Sequence, residues 1–297
     1  MKKVINFLFR KCYRICALLI FVIFSLRKPL KIGFLRLYNE ENTILPCLMS
    51  VMNMLDKIVL IYSDIDDLSL ELVKKYIQKN KLKNKFIIKK YPYSVLTQHA
   101  PEYFSGDFKW ENTLAAYYEF GYKECRKLAR FRNGFVCKID ADQIYIDDCF
   151  NQIEQLMTKE YFSNIHNAFG GYNGYVEPVS GGGGCYFLNE RDCLGIFNGF
   201  FGDHLIIPNW LTCFVNFRMD IKDGNAWEVL EVTDVLKQFI VKKYNKPMWF
   251  HFNHKVLREG KRKSLSKEQY SEYQTKVFPL LREANSDYIN LNINVTD

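Results

Sequence analysis

Apolar positions along this chain change period several times, and each change marks an element. Lys31 to Leu37 (Lys-Ile-Gly-Phe-Leu-Arg-Leu) reads as a strand that stops at Tyr38-Asn39-Glu40-Glu41. Ile44, Leu45, Leu48, Val51, Met52 and Leu55 then recur at helical spacing, with Thr43 as the expected cap and Pro46 tolerated in the first turn. A buried-type strand follows over Lys57 to Tyr62, ending in Ser63-Asp64-Ile65-Asp66-Asp67. Ser69 opens a second helix whose Leu72, Val73, Tyr76 and Ile77 share a face, and Phe86-Ile87-Ile88 is the third strand. Strands alternating with helices predict an α/β fold, a mostly parallel sheet with helices on both faces. Ligands then bind at the carboxyl ends of the strands, where Asn39, Glu40, Asp64 and Asp67 gather.

A further helix is expected over residues 110 to 127, leading to the strand Gly134 to Ile139 and its terminal Asp140-Ala141-Asp142. Beyond that the chain reads as loop-rich. Two glycine-rich stretches, Gly170 to Tyr175 and Ser180 to Gly184, precede a short strand over Cys185 to Leu188. The last third carries the aromatic run Trp249-Phe250-His251-Phe252-Asn253-His254, then a basic segment expected to be helical. The sequence contains no internal repeat.

Composition sharpens this picture at the N-terminus. The 297 residues are 48% apolar and 16% aromatic, ample for a large core and against disorder. Of 41 Lys and Arg, eight fall in residues 1 to 31, where there is no acid, which leaves 33 basic against 33 acidic side chains in the rest. A nucleic-acid protein spreads basic residues over its folded surface, so that class is set aside. Between Arg14 and Arg27 the twelve residues Ile15 to Leu26 are uncharged. As helix they reach about 18 Å, short of the roughly 20 residues needed to span hydrocarbon. Basic flanks around such a stretch suit an anionic inner leaflet, at about 1 kcal/mol per cation. Residues 1–30 are therefore read as a basic, hydrophobic, membrane-associating segment on the cytoplasmic face of the inner membrane. A core helix or a signal peptide are the competing readings, the latter without a small-residue cleavage site after Leu26.

Nine cysteines, an odd number with no Cys-x-x-Cys pair, indicate neither a disulfide framework nor a zinc knuckle. Most sit in apolar surroundings, as small buried hydrophobes of a reducing compartment.

The chain has two Asp-x-Asp triplets, Asp64-Ile65-Asp66 and Asp140-Ala141-Asp142. An apolar strand delivers the second, so alternation puts Asp140 and Asp142 on one side. Two hard oxygen ligands so placed can hold Mg²⁺ or Mn²⁺ against a diphosphate, and a solvated acidic turn is the other reading. The glycines at 181 to 184 would let backbone approach a ligand, but they do not form a phosphate-cradling Gly-x-x-x-x-Gly-Lys loop.

Phe34 to Ile44, Tyr62-Ser63-Asp64, Lys90-Tyr91-Pro92-Tyr93 and Lys138 to Asp142 together resemble the nucleotide-sugar-dependent glycosyltransferases of the GT-A fold. More narrowly they are similar to bacterial lipooligosaccharide β-1,4-N-acetylgalactosaminyltransferases. The resemblance covers residues 31 to 150 and is thin afterwards. It implies a Rossmann-like sheet, with 31–150 as the nucleotide-sugar-binding half and 151–297 as the loop-rich, acceptor-binding half of one catalytic domain. Arg36, Asn39 and Glu40 would line the nucleotide pocket, Asp64 would accept from uracil or ribose, and Asp140 would contact ribose and metal. Asp142 would bind metal and diphosphate, and Lys138 would face a helix interface. Glu40 and Asp64 could instead cap the helices that follow them.

An inverting transferase needs a carboxylate to take the acceptor proton. Asp203, Asp220, Glu228, Glu231 and Asp234 are candidates, and Glu228 is preferred because Gly224 to Glu228 resembles the Trp-Glu-Asp helix start of related folds, with Val229 where an Asp is expected. His251 or His254 would supply a late metal ligand, with His251 preferred. Lys255, Arg258, Lys261, Arg262 and Lys263 would clamp a diphosphate or anionic acceptor, or form a solvated helix face. The expected activity is metal-dependent, inverting transfer of N-acetylgalactosamine from its UDP derivative to a bacterial surface glycan. A galactosyl- or glucosyltransferase, a nucleotidyltransferase and a non-catalytic glycan-binding membrane protein are the alternatives.

Overall fold

The computed structural model describes residues 28–130, 132–146, 148–152, 154–155, 172–173, 200–201, 205–209, 212, 215–222, 224–232, 242–243, 249–251, 264–284 and 294–296. Outside them lie the tail over 1–27, Gly181 to Gly184, the expected strand at Cys185, Asp203, Asp234, His254 and the cluster Lys255 to Lys263.

The chain opens with strand β1 (Leu30–Leu37), helix α1 (Ile44–Val51), β2 (Lys57–Tyr62), α2 (Ser69–Lys79) and β3 (Phe86–Lys90). Short helix α3 (Pro101–Ser105) and long helix α4 (Leu114–Ala129) then return it to β4 (Gly134–Asp140) and β5 (Gln143–Tyr145). Strands β4, β1, β2 and β3 lie side by side and parallel. They form an α/β core in which β1, with almost every residue buried, reads as the near-continuous apolar run of a strand covered on both faces. Leu35, Leu37, Leu60 and Ile139 face α1 and α2, while Ile32, Phe34, Val59 and Val136 face α4. This alternation splits the core into two layers.

Phe34 is fully buried against Tyr118 and Tyr122 of α4, ring to ring at 5.8 and 5.3 Å. The close approach is possible because Gly121 faces the Phe34 ring, where a Cβ would overlap it. α4 starts later than its periodicity predicts. Residues 110–112 form a separate turn, and Thr113 caps the helix by accepting from the Ala116 N–H at 3.1 Å. Thr43, the expected cap of α1, makes no such bond; it donates to Glu40 at 3.0 Å.

The second half of the sequence holds more strand than expected. β6 (Tyr172–Asn173), β8 (Leu205–Pro208) and β11 (Lys242–Lys243) extend the main sheet in the order β11-β6-β8-β4-β1-β2-β3, with β8 antiparallel to β4 and β6. β7 (Phe200–Phe201), β9 (Val215–Lys222) and β10 (Asn225–Val232) form a second sheet, and Phe217 packs it on Tyr118 and Tyr122 at 5.6 and 4.9 Å. Glu228 therefore lies in the middle of a strand and is buried, not at the start of a helix as its motif suggests. β12 (Trp249–His251) pairs with β5, and β13 (Ser264–Ser266) with β14 (Asn294–Thr296). α5 (Lys267–Glu272), a π turn and α6 (Phe278–Glu283) set Tyr273, Val277 and Leu281 against Ile144, Ile146 and Phe250. Among the described residues no helix is long and apolar enough to cross a membrane.

Candidate functional site

The chain runs outward from β1 to β3 through α1 and α2 on one face, then comes back through α4 on the other face to β4. The order reverses between β1 and β4, so the loops after these strands diverge and leave a crevice at their carboxyl ends. A cavity of about 320 Å³ occupies this place. Arg36 of β1 and Asp140 of β4 are register partners at its floor. Tyr38, Glu40, Ser63, Ala141 and Asp142 continue the lining, Leu114 and Tyr117 of α4 supply an apolar side, and Val95 to Gln98 close the remaining wall.

Asp140 is buried between two cations. Arg36 Nη2 lies 3.5 Å from Oδ1 and Lys138 Nζ 3.0 Å from Oδ2. Both cations also stand over the Tyr118 ring, at 5.8 and 5.1 Å. Lys138 thus meets the helix interface, but it faces Asp140 and fixes it from below rather than turning away from the site. Asp142 follows in the turn from β4 into β5.

Glu40 feels both aspartates of the Asp-x-Asp motif. Burial first, then the charge of Asp142, push its carboxyl up from 4.5 to about 8; Asp140 adds to this, while the Thr43 hydroxyl and Arg36 oppose it. The Cys47 thiol below, donating to the Asp140 carbonyl at 3.4 Å, is raised as well, by burial and then by Asp142, Asp140 and Glu40. Three carboxyls, Glu40, Asp140 and Asp142, thus act on one another at this floor, and a divalent cation among them would favour their charged forms.

A metal fits within a limit. No group of three or more His, Cys, Asp or Glu side chains able to hold a metal ion occurs among the described residues. Asp140 and Asp142 would supply two carboxylates, and the remaining ligands of an octahedral Mg²⁺ or Mn²⁺ would be water and substrate phosphate. This suits a cation that arrives with a diphosphate rather than one held in a protein cage. His251 of β12 is the register partner of Gln143, the residue after Asp142, so the fold brings its backbone beside the motif.

Asn39 and Asp64 sit at the expected strand ends, beside the cavity rather than in its lining. Asn39 takes a left-handed turn, φ 49°, and its Oδ1 accepts from the Asp66 N–H at 3.0 Å. With Glu40 N–H donating to Ser69 Oγ at 2.7 Å and Glu41 N–H to Asp67 at 3.0 Å, this laces the loop after β1 to the loop after β2. Asp64 accepts from Ser94 Oγ at 2.8 Å and faces Lys90 at 3.7 Å, so it holds the start of the cavity wall. Glu228 does not line the cavity. Its strand reaches the wall through Ala226, whose N–H donates to the Gln98 carbonyl at 3.1 Å. Asp220 is paired with Arg218 at 3.8 Å, and Glu231 lies on β10.

Leu114, Tyr117 and the wall Val95 to Gln98 line the cavity without belonging to any sequence motif. The wall residues belong to no regular element. Their one signal is position, directly after the end of a parallel strand. No protein-family model matches this chain, and no curated protein matches it.

Proposed function

We propose that this chain is a metal-dependent, inverting glycosyltransferase of the GT-A type. It would move N-acetylgalactosamine from a UDP donor onto a bacterial surface glycan such as lipooligosaccharide, at the cytoplasmic face of the inner membrane. The observation that carries this reading is the meeting of Asp140, Asp142 and Arg36 in one cavity at the point where the strand order reverses.

In this reading Asp140 and Asp142 would hold Mg²⁺ or Mn²⁺ together with the donor diphosphate. The cation, when bound, stabilises charge on the departing UDP. Lys138 and Arg36 pair with Asp140 and orient it. Leu114, Tyr117, Val95 and Leu96 offer an apolar surface for a base, and Ser63 places a hydroxyl among them.

Free UDP is measured after incubation with a panel of UDP-sugars, with Mn²⁺ or with chelator. Slow transfer to water requires no acceptor. Metal-dependent release from one sugar is expected, and Asp142→Ala should lower it about a hundredfold or more while the fold persists. Full activity in that variant would remove Asp142 from the site.

A further inference from the structure

Most large apolar side chains that stay exposed among the described residues are aromatic, and two of them are tied to the cavity residues through Tyr91. Tyr93 is 49% exposed and Trp110 45%. Both are presented by Tyr91, which is buried. Its ring meets Tyr93 edge-on at 5.6 Å and Tyr117, a cavity residue, at 5.1 Å. Its hydroxyl donates to the carbonyl of Glu111, next to Trp110, at 2.7 Å. The two segments that carry these rings are joined at the start of the wall, with Asn112 Nδ2 donating to the Ser94 carbonyl and Leu96 N–H to the Asn112 carbonyl, both at 2.8 Å. An aromatic ladder thus leads from inside the cavity to an exposed ring, and the neighbouring turn carries the second ring.

We propose that Tyr93 and Trp110 form a stacking platform for a pyranose ring of the acceptor glycan, at the mouth of the donor cavity. The assignment to an acceptor rests on the transferase reading. A pyranose presents a flat C–H face edged with hydroxyls, so it needs flat rings with polar groups beside them. Here Asp64, Lys90 and Ser94 flank Tyr93, and the exposed Lys109 and Glu111 flank Trp110. Rings held in place by packing lose little entropy on binding. A lipid surface fits the rim less well. Asp64 and Glu111 offset Lys90 and Lys109, so the rim offers no net positive charge to an anionic leaflet. Residues 1–27 also precede β1 at the amino ends of the parallel strands, whereas the cavity lies at their carboxyl ends.

The test uses the full chain on immobilised oligosaccharides ending in hexose, N-acetylhexosamine or sialic acid, and on vesicles of phosphatidylethanolamine and phosphatidylglycerol. Tyr93→Ala and Trp110→Ala should each weaken glycan binding about tenfold, with the ring-keeping Tyr93→Phe and Trp110→Phe restoring it and thermal melting unmoved. The proposal is overturned if the native chain binds none of the glycans, if the variants bind as it does, or if vesicle binding alone is lost. UDP release without acceptor is read in the same preparations. If release persists while the rings prove irrelevant, only the platform fails. If release is absent while glycan binding depends on the rings, the platform stands and the transferase reading falls.

Discussion

Burial and the charge of Asp142 change the chemistry of Glu40. Its carboxyl titrates at about 8 in the fold against an ordinary 4.5, so between these values the folded chain holds a proton that the unfolded chain gives up. Stability from this group is fully present below 4.5 and is lost as pH rises through 8. Thermal melting in chelator should therefore fall over this window, and Glu40→Gln should flatten the fall. An unchanged slope in the variant would assign the effect to other groups. At this scale the site was partly legible. Arg36, Asp140 and Asp142 are readable because a strand fixes direction, and each sits at a strand end. Asn39 and Asp64 share that placement, yet their side chains close loops, since a short polar group beside a turn satisfies backbone N–H groups as readily as a ligand. Nothing in the sequence separates the two uses.

Helices and strands were legible where one period ran unbroken. The parallel half follows its apolar pattern to within a few residues, because β1, β2 and β4 are covered on both faces and β3, at the sheet edge, is half-buried. The β9–β10 hairpin was missed for a physical reason. On β10 the inward positions include Ala226 and Glu228, both buried, while Trp227 between them is 39% exposed, so the usual alternation of apolar-in and polar-out is reversed. The contact of β1 with α4 at Phe34 and Gly121 gives an element-level prediction. Gly121→Ala places a methyl group inside the Phe34 ring and should cost about 1–3 kcal/mol, seen as a lower denaturation midpoint. A midpoint equal to that of the native chain would mean that the two elements separate freely.

At the scale of the whole molecule, charge balance and strand boundaries decide where the tail can be cut. Leu30 is the first residue of β1 and is buried, and its N–H donates to Asn133 at 2.8 Å while its carbonyl accepts from Asn209 at 2.9 Å. The boundary read at residue 30 thus falls one residue inside the fold. Removing residues 1–28 should give a chain that leaves the membrane fraction and melts as the full chain does, whereas removing 1–30 should lower the melting temperature. Sedimentation of the 1–28 deletion with membranes would place the attachment elsewhere. β1, which receives the tail, is bonded to β2 over six register pairs and to β4 over seven. A pull on the chain ahead of residue 28 runs along this strand and loads both ladders in shear, so their bonds must give way together rather than peel in turn. Under lateral drag at a tether, Arg36 on β1 and Asp140 on β4 stay in register, and the force is spent before it reaches the cavity they floor.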